Sequence, residues 1–250
     1  MATSDGYRRY FPYDEPYDHQ TDAMGKIREA LVEERDVLFE GACGTGKTLA
    51  SLVPALEYGQ AAGKTVVITT NVHQQTRQFI EEARAIADTE PIRAVVFRGK
   101  ASMCHIDVGY EECQALRDTT RELVDKEQDI EELEQREGEL LDASRSGDGQ
   151  AAAARGSVMD ELEELQIGVE AIRDEQNICE RYYNNLARDT DAFYGWLYDD
   201  VRTPDEIYEY AHERDLCGYE LLKDGMEGVD LVICNYHHLL DPMIREQFFR

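Results

Sequence analysis

"GACGTGKT", residues 41–48, is the stretch that decides the fold. It has the pattern G-x-x-x-x-G-K-T, in which glycines let consecutive backbone N–H groups turn toward a polyphosphate. In such a loop Lys47 reaches the β and γ phosphates and the Thr48 hydroxyl binds Mg²⁺, so these two are the predicted catalytic residues. The residues predicted to hold ATP and magnesium are Gly41, Gly44, Thr45, Gly46, Lys47 and Thr48.

The segments around this loop fit a parallel α/β domain. "RDVLFE", residues 35–40, is a short apolar run that predicts a buried strand, and the residues after Lys47 favour a helix. Two β-branched runs, 63–70 and 92–99, predict further strands with an amphipathic helix between them. "VDLVICNYHHLLDP", residues 229–242, begins as another buried strand. Alternating strands and helices predict a parallel sheet with helices on its faces.

Residues 114–178 have a different composition, with many charged and helix-favouring residues and Leu or Ile at wide intervals. The Gly- and Ser-containing stretch "SRSGDGQAAAARGS", residues 144–157, interrupts this pattern, and a second helical run follows it. The segment therefore predicts an antiparallel helical hairpin. We interpret it as a solvated spacer, because nothing in its pattern indicates catalysis.

The chain of 250 residues is strongly acidic, with 53 Asp and Glu against 26 Lys and Arg, a net charge of −27. This balance argues against an overall basic nucleic-acid binder, although a local basic groove remains compatible with it. A uniformly acidic, lysine-poor surface is typical of proteins adapted to high intracellular salt, with an ordinary acidic protein as the alternative. No run approaches the roughly 20 apolar residues of a membrane span, and the N-terminus has no secretory signal. We therefore expect a cytoplasmic protein with reduced thiols.

Six cysteines in such a chain indicate a metal or redox site rather than disulfides. Cys43 belongs to the phosphate loop, and Cys234 belongs to an apolar run where it is expected to be a small buried side chain. The four that remain are Cys104, Cys113, Cys179 and Cys217. Four thiolates fit either a zinc site or an iron–sulfur cluster, and their spacing contains no C-x₂-C pair that would choose between the two. His237 and His238 are expected on opposite faces of a strand, so we treat them as structural.

Seven motifs occur in order along the chain: "FPYDEPYDHQ", "EGACGTGKT", "ITTNVHQQTRQFIEEAR", "FRGKASMC", "CERYYNN", "CGYELL" and "NYHHLLDP". Together they resemble the N-terminal part of the XPD/Rad3 group of superfamily 2 DNA helicases, which includes the DinG-like enzymes. The chain also looks like the haloarchaeal Rad3-type helicases of this group. The resemblance covers nearly the whole chain except the acidic hairpin.

The resemblance implies roles for individual residues. Gln20 would read the adenine of ATP, and the four cysteines would bind a [4Fe–4S] cluster in a mostly helical domain inserted between strands of the RecA-like motor. The residues implied to contact single-stranded DNA are Thr69, Thr70, Gln74, Arg98 and Lys100. The implied organisation is an incomplete first motor domain over 1–99 and 226–250, with the four-cysteine domain over 100–225. The implied partners are single-stranded DNA and duplex junctions, with no membrane.

Two departures from the family pattern are visible. The interval between Cys113 and Cys179 is longer than usual and holds the acidic hairpin, and the sequence contains no DEAH box. We therefore expect an N-terminal fragment of an ATP-dependent 5′–3′ helicase that acts in DNA repair, inactive in isolation. The alternative is a non-enzymatic module that binds nucleotide, a cluster and DNA. A zinc protein with a phosphate loop is a third possibility.

Overall fold

The computed structural model describes residues 6–248 and divides the chain into two compact units. Three segments form the motor unit: 6–104, 190–211 and 218–248. The second unit, here called the cysteine unit, consists of His105–Asp189 and His212–Cys217. The motor unit therefore includes residues 190–211 and 218–225, which the sequence prediction placed in the four-cysteine domain.

The described residues form helices and three short strands. In chain order they are α1 (Gln20–Val32), α2 (Lys47–Ala62), β1 (Val66–Thr69), α3 (His73–Ala87), β2 (Ala94–Val96), α4 (Tyr110–Arg145), α5 (Gly149–Glu175), α6 (Glu180–Ala187), α7 (Asp191–Asp199), α8 (Pro204–Glu213), α9 (Gly218–Asp224), β3 (Leu231–Cys234), α10 (His237–Leu240) and α11 (Pro242–Phe248). Short 3₁₀ turns occupy Gly6–Tyr10 and Lys100–Ser102.

The described strands form one parallel sheet in the order β1–β3–β2. Leu231 of the central strand is in register with Val66 on one side and with Ala94 on the other. All four residues of β3 are buried, as expected of a parallel strand that is covered on both faces. Strands β2 and β3 are neighbours in the sheet, and the whole cysteine unit lies between them in the sequence.

Helices α2 and α3 pack on this sheet through apolar side chains at helical spacing. The buried residues that they contribute to the core are Leu49, Leu52, Val53, Leu56, Ile80, Ala83 and Ile86. Full burial of each large aliphatic side chain contributes about 1.5–3 kcal/mol. This packing fixes the start of α2, and with it the position of Lys47, relative to the sheet.

The strand predicted at 35–40 is not present. These residues are irregular and exposed, and the Leu38 side chain is fully accessible to solvent. The strand prediction was wrong here, because a strand forms only where a neighbouring strand supplies hydrogen bonds. Within the described residues, none pairs with this segment.

The predicted helical hairpin is present as α4 and α5, and its turn is much shorter than expected. Only residues 146–148 separate the two helices, and the Asp148 carboxylate caps α5 by accepting hydrogen bonds from the Gln150 and Ala151 N–H groups at 2.9 and 3.2 Å. The alanines that follow then continue the helix. Most of the stretch 144–157 is therefore helical and does not interrupt the pattern as predicted, because one good N-cap and an alanine run outweigh the glycines.

The hairpin carries much of the negative charge of the chain. Residues 110–175 contain 21 acidic and seven basic residues, a net charge of −14. Some of the basic residues cross-link the helices: Arg155 pairs with Glu137, and Arg173 pairs with Glu127 at 2.5 Å. Acidic residues are therefore more concentrated on this hairpin than the uniformly acidic surface predicted from the sequence implies.

Among the described residues, no helix is both long enough and apolar enough to cross a membrane.

Candidate functional site

The phosphate loop has the backbone shape that its glycines predict. Gly44 and Gly46 have left-handed backbone conformations, with φ of 78° and 70°, and α2 begins directly after them at Lys47. Glycine suits this left-handed conformation, and a Cβ atom on residue 46 would lie 2.4 Å from the Gln20 Nε2 atom and so displace the Gln20 amide. The free N–H groups at the start of α2 give this end of the loop a positive potential suited to phosphate.

Lys47 bends back into its own loop. Its Nζ atom donates hydrogen bonds to the carbonyl oxygens of Gly41 and Ala42, at 2.7 and 2.6 Å. The Thr45 hydroxyl donates to the same Ala42 oxygen at 2.8 Å. Phosphate oxygens would replace these carbonyls as partners of the ammonium group. Thr48 is half-buried in the first turn of α2, directly after Lys47.

Gln20 joins the N-terminal segment to the loop. Its Oε1 atom accepts a hydrogen bond from the Tyr17 N–H, and its Nε2 atom donates to the Gly46 carbonyl, both at 2.9 Å. The side chain is only 4% exposed. Its amide therefore braces the loop, and it keeps one N–H and one lone pair that a base could use.

The residues implied to line a DNA path lie at the carboxyl end of the sheet. Thr69 is the last residue of β1, and the Thr70 N–H donates to the carbonyl of Cys234, where β3 ends. Gln74 is exposed in the first turn of α3. In open parallel sheets ligands bind at this edge. Thr69, Thr70 and Gln74 therefore all lie at or just after the carboxyl end of β1, and their role in binding DNA stays a prediction.

The two implied basic DNA contacts are held in ion pairs within the motor unit. Arg98 forks onto the Asp205 carboxylate, with one of its two hydrogen bonds at 2.9 Å. Lys100 donates to the Glu220 carboxylate at 2.9 Å, and Glu220 is 3% exposed. DNA phosphates would therefore have to compete with carboxylates for both cations.

The six cysteines lie in different settings, and none forms a disulfide. Cys43 is exposed in the phosphate loop, and Cys234 is buried in β3, where burial raises the pKa of its thiol to about 12. Cys234 is therefore a small buried side chain, as the sequence predicted, and the separation of both cysteines from a metal site stays a prediction. Cys113 lies in the first turn of α4, and Cys179 is the N-cap residue of α6.

No metal site is already assembled in residues 6–248, since no three His, Cys, Asp or Glu side chains there form a group that could hold an ion. The donors suit such a group chemically, because thiols are the ligands of zinc and iron–sulfur sites and all four candidate cysteines are free of disulfides. His105 follows Cys104 and stacks on His212, with ring centroids 5.0 Å apart. Burial, followed by the charges of Arg181 and His212, lowers the pKa of His105 to about 4, so its ring is neutral at pH 7.

His237 and His238 lie at the start of α10 rather than on a strand. His237 is exposed, whereas His238 is 5% exposed and packs 4.3 Å from the Phe248 ring. The strand prediction was wrong at this point, because β3 ends at Cys234. The conclusion that the two imidazoles face different surroundings still holds.

A family model described as DEAD_2 matches residues 68–249. The chain belongs to the DEAD_2 family. Among curated proteins, it is 25% identical over 242 residues to the general transcription and DNA repair factor IIH helicase subunit XPD/RAD3 of Saccharomyces cerevisiae, an alignment that covers 95% of the chain. It is also 34% identical over 75 residues, or 30% of the chain, to a protein of Methanocaldococcus jannaschii named a probable ATP-dependent helicase. The matched regions span 27% and 12% of these two relatives. The DEAD_2 chain is therefore an XPD/Rad3-like helicase sequence, as its motifs indicate.

Several functional contacts of the DEAD_2 chain had no signal in the sequence. Asp205 and Glu220 lie 107 and 120 residues away from the cations that they bind. Tyr17, whose ring lies against Gly46 and is 64% exposed, was quoted within a motif but given no role. The phosphate loop itself was found because all of its parts lie within eight residues.

Proposed function

We propose that this chain is the nucleotide-binding part of the first motor domain of an ATP-dependent DNA helicase of the XPD/Rad3/DinG type, with 5′–3′ polarity. The observation that carries the proposal is the complete phosphate loop at the start of α2, with Lys47 inside it and Gln20 bracing it. The yeast relative is named as a helicase subunit of a DNA repair factor, which supports a role in DNA repair.

Nucleotide binding follows from the contacts of the loop. The ammonium group of Lys47 exchanges the carbonyls of Gly41 and Ala42 for β and γ phosphate oxygens. Backbone N–H groups at the start of α2 donate to the same phosphates, and the Thr48 hydroxyl binds Mg²⁺. The loop is exposed, so a nucleotide can enter it without rearrangement of the core.

We assign a [4Fe–4S] cluster to Cys104, Cys113, Cys179 and Cys217, with zinc as the alternative metal. The thiolates of these residues would hold it, and the bound cluster would cross-link distant parts of the chain through iron–sulfur bonds. All four side chains are free of disulfides and so available as ligands.

A path for single-stranded DNA is proposed along Thr69, Thr70 and Gln74 at the carboxyl end of the sheet. These side chains offer hydroxyl and amide groups, which bind phosphate or base without strong sequence preference. Arg98 and Lys100 join the path only when DNA displaces their carboxylate partners. Duplex junctions are the proposed substrate of the longer helicase.

A second candidate function is a non-enzymatic module that binds nucleotide, a cluster and DNA. Such a module would need only the phosphate loop, the thiols and the polar residues after β1, whereas hydrolysis also requires a carboxylate that holds the metal. An arginine supplied in trans adds roughly 10³–10⁵ in rate in related phosphoryl transfers. Residues 1–250 by themselves are therefore expected to bind Mg²⁺-nucleotide weakly without turning it over.

The test measures Mg²⁺-ATP binding and steady-state hydrolysis by the 250-residue chain, with and without single-stranded DNA. Binding should be lost in Lys47→Ala and kept in Cys43→Ser, because the latter changes an exposed thiol of the loop and leaves its backbone intact. DNA-stimulated hydrolysis that disappears in Lys47→Ala would reject the non-enzymatic module. Unchanged binding in Lys47→Ala would reject the nucleotide site itself.

A further inference from the structure

Two buried polar side chains of the cysteine unit bind the main chain of candidate metal ligands. Thr120 lies on α4 and is fully buried. Its Oγ1 atom accepts a hydrogen bond from the Cys179 N–H at 2.9 Å and donates to the Leu116 carbonyl at 2.6 Å. The donated bond fixes the hydroxyl rotor, so a lone pair is directed at Cys179.

Asn185, on α6, binds both main-chain polar groups of Cys217. Its Oδ1 atom accepts from the Cys217 N–H at 2.9 Å, and its Nδ2 atom donates to the Cys217 carbonyl at 3.0 Å. Asn185 is 9% exposed, so water cannot easily replace these two bonds. A reciprocal pair of this kind fixes the orientation of the residue that it holds.

These contacts connect three cysteine-bearing segments within one unit. Cys113 and Thr120 lie seven residues apart on α4, which places them on the same face two turns apart. Thr120 binds Cys179, the N-cap of α6, and Asn185 on the same short helix binds Cys217. Hydrogen bonds therefore link α4 to Cys179 at the start of α6, and link α6 in turn to Cys217.

We propose that Thr120 and Asn185 are positioning residues for the cluster, which fix the main chain of Cys179 and Cys217 so that their thiolates are presented to iron. The proposal rests on the cluster proposed above. Groups that orient metal ligands without touching the metal typically contribute 10- to 100-fold to metal affinity. Neither side chain gives its polar atoms to the thiols, so both act through the backbone.

A purely structural role would change the stability of the unit and leave retention of iron in the folded protein unchanged. The readouts are therefore iron and sulfide per chain after anaerobic purification, the visible absorbance of the cluster, and the rate at which a chelator removes iron. Thermal melts of the same samples report stability separately.

The decisive variants are Thr120→Val, which keeps the shape and loses the acceptor, and Asn185→Ala. Thr120→Ser restores the hydroxyl and should restore wild-type behaviour. Asn184→Ala is the matched control, because Asn184 lies on the same helix and donates to the carbonyl of Asp215, which is not a candidate ligand, at 2.9 Å. We expect Thr120→Val and Asn185→Ala to lose iron to the chelator roughly 10- to 100-fold faster than wild type, and Asn184→Ala to match wild type.

Wild-type retention of iron in folded Thr120→Val and Asn185→Ala would overturn the positioning role and leave the cluster in place. A wild-type chain with no iron, or with one zinc, would overturn the cluster proposal together with this one. Should Thr120→Val fail to fold, Asn185→Asp decides the question, since it keeps the acceptor for the Cys217 N–H and loses the donor. Iron loss no faster in Asn185→Asp than in wild type would then reject the proposal.

Discussion

Replacing Gln20 by alanine tests whether this residue braces the phosphate loop or reads adenine. The substitution removes two hydrogen bonds of 2.9 Å, one to the Tyr17 N–H and one to the Gly46 carbonyl. A net contribution of about 1 kcal/mol from each hydrogen bond gives a total loss of about 2 kcal/mol of binding free energy. Because 1.4 kcal/mol is a factor of ten in affinity, nucleotide binding should weaken by up to about thirtyfold.

The assay is titration calorimetry with Mg²⁺ complexes of ATP, GTP and tripolyphosphate. If Gln20 acts as a brace, all three ligands lose affinity to a similar extent, because the damage lies in the phosphate loop. Gln74→Ala, an exposed glutamine on α3, is the control and should bind all three normally. A loss confined to ATP, with GTP and tripolyphosphate unaffected, would refute the brace and support direct readout of adenine.

Three further outcomes are expected. The melting temperature should rise with KCl up to molar concentrations, because salt screens the repulsion within a chain of net charge −27; a flat or falling series would contradict the halophilic interpretation. In the native protein at pH 8, iodoacetamide should label the exposed Cys43 and spare Cys234, whose thiol has a pKa raised to about 12 by burial; equal labelling before denaturation would show that β3 is open. Burial lowers the pKa of the His238 imidazole. As the pH falls below about 6.5, the unfolded chain therefore binds a proton at this residue before the folded chain does, and the free energy of unfolding declines. His238→Gln should flatten this decline relative to His237→Gln, and identical pH profiles of the two variants would assign it to other groups.

The elements that the sequence predicted correctly depend on residues close together in the chain. The loop 41–48, the strands at 66–69 and 231–234 and the two long hairpin helices follow from local patterns of glycine, β-branched and helix-favouring residues. The segment 35–40 has an equally strong local pattern and is nevertheless exposed, because a strand also needs a neighbour that local sequence cannot supply.

The sequence by itself determined the phosphate loop, the four candidate thiols and the family resemblance. Only the tertiary structure decided which charged side chains form ion pairs and which main-chain groups are hydrogen-bonded by buried side chains. Arg98 meets Asp205 across 107 residues, and the Cys179 N–H meets Thr120 across 59. Such contacts form when distant segments pack, and no periodicity or spacing records them, because burial and partner geometry are properties of the folded chain.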